Sequence, residues 1–195
     1  MMNRGRLIVL SGPSGVGKTT VAQMLCDSQE FEESVSATTR PPRGKEVDGR
    51  HYHFLSLEQF EARVAAGEFL EHAQVHGHRY GTLRSVVEEI LASGRHCILN
   101  IDVQGAEQVL ANDPEAVSIF LLPPDFETLE RRLRARSTDS EEQIRDRLET
   151  ARYELSRQHL YHHRVTNEVA DDAAAQVAEL VAGEQSAHGG GNGRS

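Results

Sequence analysis

Gly12-Pro13-Ser14-Gly15-Val16-Gly17-Lys18-Thr19 fits the pattern G-x-x-x-x-G-K-[ST] at every fixed position. Its chemistry is phosphate binding. Glycines at 12, 15 and 17 let the backbone curl so that successive N–H groups converge on phosphate oxygens, and the following helix adds the partial positive charge of its N-terminus. Lys18 is placed to reach the β- and γ-phosphates, and the Thr19 hydroxyl to ligate Mg²⁺. With Thr20 at the loop's end, residues 12–20 predict an ATP or GTP site.

A second anion site is written further along. Arg40 and Arg43 flank Pro41-Pro42, and Tyr52 and Tyr80 follow. Two guanidinium forks near a stiff turn, with tyrosine hydroxyls to join them, make a clamp for one phosphate. A carboxylate such as Glu71 accepts two parallel hydrogen bonds from the N1–H and exocyclic amine of guanine, a donor pair that adenine lacks. The combination favours a guanine monophosphate as second substrate.

These side chains need elements that present them. Leu7-Ile8-Val9-Leu10 is a continuous apolar run ending in Ser11-Gly12-Pro13, a strand buried on both faces and then a turn. Val21, Met24 and Leu25 recur at helical spacing. Cys97 to Ile101 and Val117 to Leu121 read as further buried strands, with a helix around Ala106 to Leu110 between them. Such alternation predicts an α/β fold with a parallel sheet and right-handed crossovers. Residues 36–82 interrupt it with short runs and one helix, Ser56 to Ala66, which reads as an inserted small α+β subdomain. There Ser56 and Gln59 form a capping-box pattern, Leu57, Phe60 and Val64 share a face, and Gly67 ends the helix. From Phe126 to about Gln158 the chain is polar and helical, with six arginines between Arg131 and Arg147 and an N-cap-like break at Ser137-Thr138-Asp139-Ser140. Two helices joined at a polar tip predict a mobile lid over 126–158. Ala173 to Ala182 reads as a last amphipathic helix, and the glycine-rich stretch 184–195 as a disordered tail. The expected core is 5–35, 83–125 and 159–183.

Taken together, the phosphate loop, the run Ser36-Ala37-Thr38-Thr39-Arg40-Pro41-Pro42-Arg43 and the later Glu71 and Tyr80-Gly81-Thr82 make the chain resemble the guanylate kinase family from about Arg6 to Leu180. The resemblance implies a P-loop NTPase three-layer α/β fold with a central parallel sheet, an inserted GMP-binding subdomain and a helical lid. It implies transfer of the γ-phosphoryl of ATP to GMP, with Mg²⁺ accompanying ATP. By position it assigns Ser36, Arg40, Arg43, Tyr52, Glu71, Tyr80 and Thr82 to GMP, the arginines and tyrosines at its phosphate and the others at its base. Arg132, Arg136 and Arg147 match lid arginines that act with Lys18 and Arg43 on the transferring phosphoryl group, and Asn167 matches an asparagine near the adenine. Departures from the family pattern are local. Leu99-Asn100-Ile101-Asp102 stands where L-D-I-D is usual, so among the GMP-binding residues Asn100 lacks a charge while Asp102 keeps it. Lys45 and Ser137 replace glycines, Leu83 replaces a small residue, and the last strand ends Arg164-Val165-Thr166-Asn167-Glu168.

Composition narrows the alternatives. Thirty acidic against 21 basic residues give a net charge of −9, which argues against bulk binding to nucleic acid or anionic membrane. The basic set is nineteen arginines and two lysines. No apolar run approaches the length of a bilayer span, and the start of the chain carries no leader-like segment, so a cytoplasmic protein is expected. Cys26 and Cys97 suit reduced thiols. His51 with His53, His76 with His78, and His162-His163 read as surface histidines, and Glu32-Glu33 and Glu88-Glu89 as solvated helix faces. Arg131, Arg134 and Arg145 read as a helix face paired with Glu130, Glu141, Glu142 and Glu149, while Glu46 and Asp48 set the turn of the GMP loop. Two other readings stay open: a P-loop kinase of a phosphorylated sugar, and a non-catalytic module of the same fold. Oligomeric state is not written in the sequence.

Overall fold

The computed structural model describes residues 4–75, 77–135 and 140–189, with side chains through 184. In chain order the elements are β1 (Leu7–Ser11), α1 (Lys18–Asp27), β2 (Phe31–Glu33), β3 (Ala37–Thr38), β4 (His53–Phe54), α2 (Leu57–Ala65), β5 (Phe69–Val75), β6 (His78–Leu83), α3 (Arg84–Ala92), β7 (His96–Asn100), α4 (Val103–Asn112), β8 (Val117–Leu122), α5 (Phe126–Arg134), α6 (Glu141–Ser156), β9 (His163–Thr166) and α7 (Ala170–Gly189), with a 3₁₀ turn at Gln158–Leu160. The central five-stranded parallel sheet has the order β2-β7-β1-β8-β9, and a second sheet the order β4-β3-β6-β5. Every residue of β1 is buried, as its unbroken apolar run requires of a strand covered on both faces.

Residues 1–9 and 29–116 form one compact unit. Its β2 pairs parallel with β7, placing Glu33 opposite Ile98. The glutamates at 32 and 33 therefore lie on a half-buried strand, not on a solvated helix face, and each is engaged: Glu32 with Arg95, and Glu33 with Asn100. In the smaller sheet β5 and β6 run antiparallel, with a register irregularity between Phe69 and Glu71. Helix α2 starts at Ser56, whose hydroxyl accepts from the Gln59 N–H while the Gln59 side chain accepts from the Ser56 N–H, so the capping box forms as expected. The helix stacks Phe60 on Phe69 at 4.4 Å between ring centroids, in an apolar cluster with Ala37 and Leu83. Val64 joins that cluster, but Leu57 does not: it is 54% exposed, because the first helical residue projects past the edge of the sheet-facing stripe that Phe60 and Val64 define. Helix α4 is tied to β5 by Gln108, whose Oε1 accepts from the His72 N–H (3.2 Å) and whose Nε2 donates to the His72 carbonyl (3.0 Å).

Residues 10–28 and 117–195 form the second unit. Here β8 pairs parallel with β9, Ile119 facing His163, and α1 packs on α7. Asp125 caps α5 by accepting from the Thr128 N–H at 2.6 Å. Leu129 and Leu133 of that helix are fully buried, as are Val16 and Val21. Ser140 caps α6 with a second capping box to Gln143, and Arg134 pairs with both Glu130 and Glu141 as the sequence indicates. Helix α7 is longer than the run 173–182 that the sequence suggests: its backbone is helical from Ala170 to Gly189. The tail expected from residue 184 thus begins as helix, continuing hydrogen bonding that alanine and glutamate favour. Residues 190–195, residues 136–139 in the segment expected to form a lid, and His76 lie outside the described residues.

Candidate active site

In the first unit the residues expected to hold a guanine nucleotide come together. Ser36, Tyr52, Glu71, Tyr80, Asn100 and Asp102 line one cleft, together with Ala73, Val75, Gly81 and Ile101. Glu71, on β5, is only 6% exposed. Its Oε1 accepts a 2.7 Å hydrogen bond from the hydroxyl of Thr82, its register partner on β6. Burial pushes the Glu71 carboxyl up to about 7, a rise that the Thr82 hydrogen bond opposes and the charge of Asp102 reinforces. Asp102 caps α4, accepting from the Gly105 N–H at 2.8 Å. A Cβ on Gly105 would stand 2.7 Å from Glu71 Oε2, so a side chain there would displace the carboxylate.

Arg40 is the arginine expected to meet the phosphate. Its guanidinium is buried between aromatic rings, 5.3 Å from the centroid of Tyr52 and 6.0 Å from that of Phe54, and it also bonds Tyr80. Glu46 grips it bidentately, both bonds at 2.9 Å, and accepts the Arg43 N–H at 2.7 Å. These contacts hold the Glu46 carboxyl down at about 2, the Arg40 hydrogen bond being the largest cause, and raise Arg40 further above its usual value. Asp48 Oδ1 accepts the Phe54 N–H at 2.8 Å. Both acids set the loop's turn, as expected, and Glu46 also fixes the clamp. Arg43 itself is exposed.

The second unit carries the phosphate loop. Gly17, at φ 104°, occupies the left-handed region, and a Cβ on it would lie 2.4 Å from Asn167 Nδ2. Lys18 Nζ donates to the carbonyls of Gly12 (2.5 Å) and Pro13 (3.2 Å), which holds the ammonium over the loop. Thr19 and Thr20 are exposed in the first turn of α1. The Asn167 side chain is buried and donates to the Val16 carbonyl at 2.7 Å, while Arg132 donates to the carbonyls of Val16, Asn167 and Glu168 at 3.2–3.4 Å. Both residues therefore brace the loop from behind. Arg147 is half-buried on α6, and Arg136 lies outside the described residues.

Four contributors escape a reading of the sequence. Glu33 holds Asn100, Gly105 makes room for Glu71, Gln108 clasps His72, and the buried Glu154 accepts the Ser14 N–H at 3.4 Å. None has a neighbour in sequence that announces its partner, although a glutamate at a helix position otherwise reserved for core, as at 154, is a usable signal. Among the described residues no group of three or more His, Cys, Asp or Glu side chains could hold a metal ion, and no helix is long and apolar enough to cross a membrane.

Comparisons with known proteins agree with this geometry. The guanylate kinase family model matches residues 4–184. A guanylate kinase from Bifidobacterium longum is 52% identical over 186 residues, covering 92% of this chain and 95% of that one. One from Anaeromyxobacter dehalogenans is 50% identical over 189 residues, covering 95% and 84%. The crystal structure of guanylate kinase from Anaplasma phagocytophilum superposes with a TM-score of 0.75 at 34% identity, covering 94% of this chain and 87% of that one. A phosphate loop braced from behind, a buried carboxylate beside an arginine clamp, and relatives alike over nearly their whole length have one joint meaning: the chain belongs to the guanylate kinase family.

Proposed function

We infer that the chain is an ATP:GMP phosphotransferase, passing the γ-phosphoryl of ATP to GMP to give ADP and GDP. The observation that carries the choice of acceptor is Glu71: this buried carboxylate is bonded to Thr82 and lines one cleft with Tyr52, over whose ring the Arg40 guanidinium lies. In its ionised form Glu71 receives the N1–H and amine of guanine, with Ser36, Thr82, Asn100 and Asp102 at the base edge. Arg40, Arg43, Tyr52 and Tyr80 receive the monophosphate, whose charge the bidentate-capable guanidinium groups match. Residues 12–20 cradle ATP, Lys18 neutralising the β- and γ-phosphates, and Asn167 fixes the loop near the adenine. Arg136 and Arg147 of the lid segment 126–158 complete the charge around the phosphoryl group, while Arg132, expected there too, is engaged with the carbonyls of Val16, Asn167 and Glu168 and braces the loop. Phosphoryl transfer asks mainly for positioning and charge neutralisation, so no protein base is required.

Thr19 offers an exposed hydroxyl at the start of α1, a hard oxygen donor of the kind Mg²⁺ takes together with nucleotide phosphates and water. Mg²⁺ accompanying ATP supplies charge to the phosphate oxygens. The proposed architecture is a core of 5–35, 83–125 and 159–183 bearing a GMP-binding insertion at 36–82. A cytoplasmic location suits substrates of this kind.

ADP release measured with GMP, AMP, CMP and UMP as acceptors tests the reading. Turnover is expected with GMP far above the others; no turnover with GMP overturns it.

A further inference from the structure

Helix α6 buries Ile144, Leu148, Ala151 and Glu154 along one face, so a carboxyl group sits in an otherwise apolar stripe at 8% exposure. Glutamate rarely takes such a place unless it is bonded there. The Glu154 Oε2 accepts the N–H of Ser14, in the phosphate loop, at 3.4 Å. The other end of that peptide is also in use. The Pro13 carbonyl accepts the Val16 N–H at 3.2 Å, closing a turn with Gly15 at φ 85° in its third position, and it accepts from Lys18 Nζ, also at 3.2 Å. The Pro13–Ser14 peptide is planar and trans, so its N–H and C=O point in opposite directions and turn together. Glu154 thus holds from one side the peptide that holds the Lys18 ammonium on the other. Helix α5 supports the same turn, because Leu133 packs so close to Gly15 that a Cβ there would stand 2.9 Å from its Cδ2.

We propose that Glu154 is a positioning residue for Lys18: from α6 it fixes the Pro13–Ser14 peptide, whose carbonyl sets the ammonium where the phosphates of ATP arrive. The proposal rests on the reading above, in which Lys18 meets the β- and γ-phosphates. It deepens that reading by making the phosphate loop's lysine depend on a side chain 136 residues away. The bond to Ser14 requires an acceptor oxygen at position 154 and not a charge.

The test is a double-mutant cycle on the full chain, read as kcat/KM for ATP at saturating GMP, because removing the ammonium shows whether Glu154 acts through it. Glu154→Ala should lower kcat/KM about five- to tenfold, the worth of one hydrogen bond, and leave the KM for GMP unchanged. In a Lys18→Ala background the same change should cost less than about twofold. Glu154→Gln, whose amide oxygen still accepts, should stay within about twofold of the wild type. A purely structural role would give the same factor in both backgrounds. Equal factors, an unchanged kcat/KM in Glu154→Ala, or a loss in Glu154→Gln as large as in Glu154→Ala overturns the positioning role and leaves the enzyme reading standing; absence of turnover by the wild type overturns both. Should Glu154→Ala fail to fold, Glu154→Asp, which keeps the charge but is one methylene too short, runs through the same cycle and is judged by the same factors.

Discussion

On the proposed assignment base selection turns on Glu71, and its burial makes that selection depend on pH. Guanine presents two donors, so it binds the ionised carboxylate; a proton on Glu71 puts a third donor where an acceptor is needed. With the carboxyl raised to about 7, guanosine affinity should fall about tenfold per pH unit below that value and level off above it. Guanosine is the right probe because its base does not titrate near neutrality and it carries no phosphate to confuse the profile. Titration calorimetry at stepped pH checks this, and Glu71→Gln should bind weakly with a flat profile. Gly105→Ala is a sharper test of the same carboxylate. The new Cβ would meet Glu71 Oε2 at 2.7 Å, and the side chain can only yield by turning away. Alanine is the better helix former, so the melting temperature should hold or rise slightly while the KM for GMP climbs at least tenfold and that for ATP does not. The candidacy of Glu71 was legible from one line of chemistry, the guanine donor pair. That Gly105 defines its position was not, because the contact joins residues 34 apart in the chain.

At the scale of elements, the site depends on how strands and helices are fixed to one another. Gln108 spans α4 and β5 by bonding both polar groups of the His72 backbone, one residue from Glu71. Gln108→Leu removes both bonds and leaves two backbone groups seeking partners, at a cost of about 1–3 kcal/mol. Chemical denaturation should show that loss, and GMP binding should weaken more than ATP binding. The phosphate loop is similarly held by its surroundings. Gly17→Ala combines a strained left-handed φ with a Cβ 2.4 Å from the Asn167 amide, so it should abolish binding of an ATP analogue while GMP binding survives. Most elements were legible, since unbroken apolar runs mark buried strands and the caps at Ser56 and Ser140 are short-range signals. Errors fell where burial was decided by distant packing. Strand β2 spans only three residues, too few for periodicity to distinguish it from a helix face, and Leu57 lies one step beyond the stripe that packs.

Across the molecule, the proposed acceptor-binding groups all come from residues 36–102, in one compact unit, and the proposed ATP-binding groups from residues 12–20 and 167, in the other. Amide hydrogen exchange should therefore separate the ligands. GMP is expected to slow exchange in 36–54, 69–82 and 100–105, and a non-hydrolysable ATP analogue in 12–20 and 165–168; protection of the same segments by both would contradict the assignment. The overall charge of −9 says little about this division, because the guanidinium groups that matter are placed singly: Arg40 inside an aromatic cage, Arg132 behind the loop. The sequence by itself determined the α/β class and the phosphate-loop motif and nominated Arg40, Arg43 and Glu71, since each depends on residue types at short spacing or on a motif with few alternatives. Only the tertiary structure decided that Glu46 holds Arg40, that Asn167 and Arg132 brace the loop, and that Asn100 donates to Glu33. The Glu33–Asn100 and Val16–Asn167 partners are brought together over 67 residues or more, and hydrogen bonds between groups so far apart leave no periodicity in the chain from which to read them.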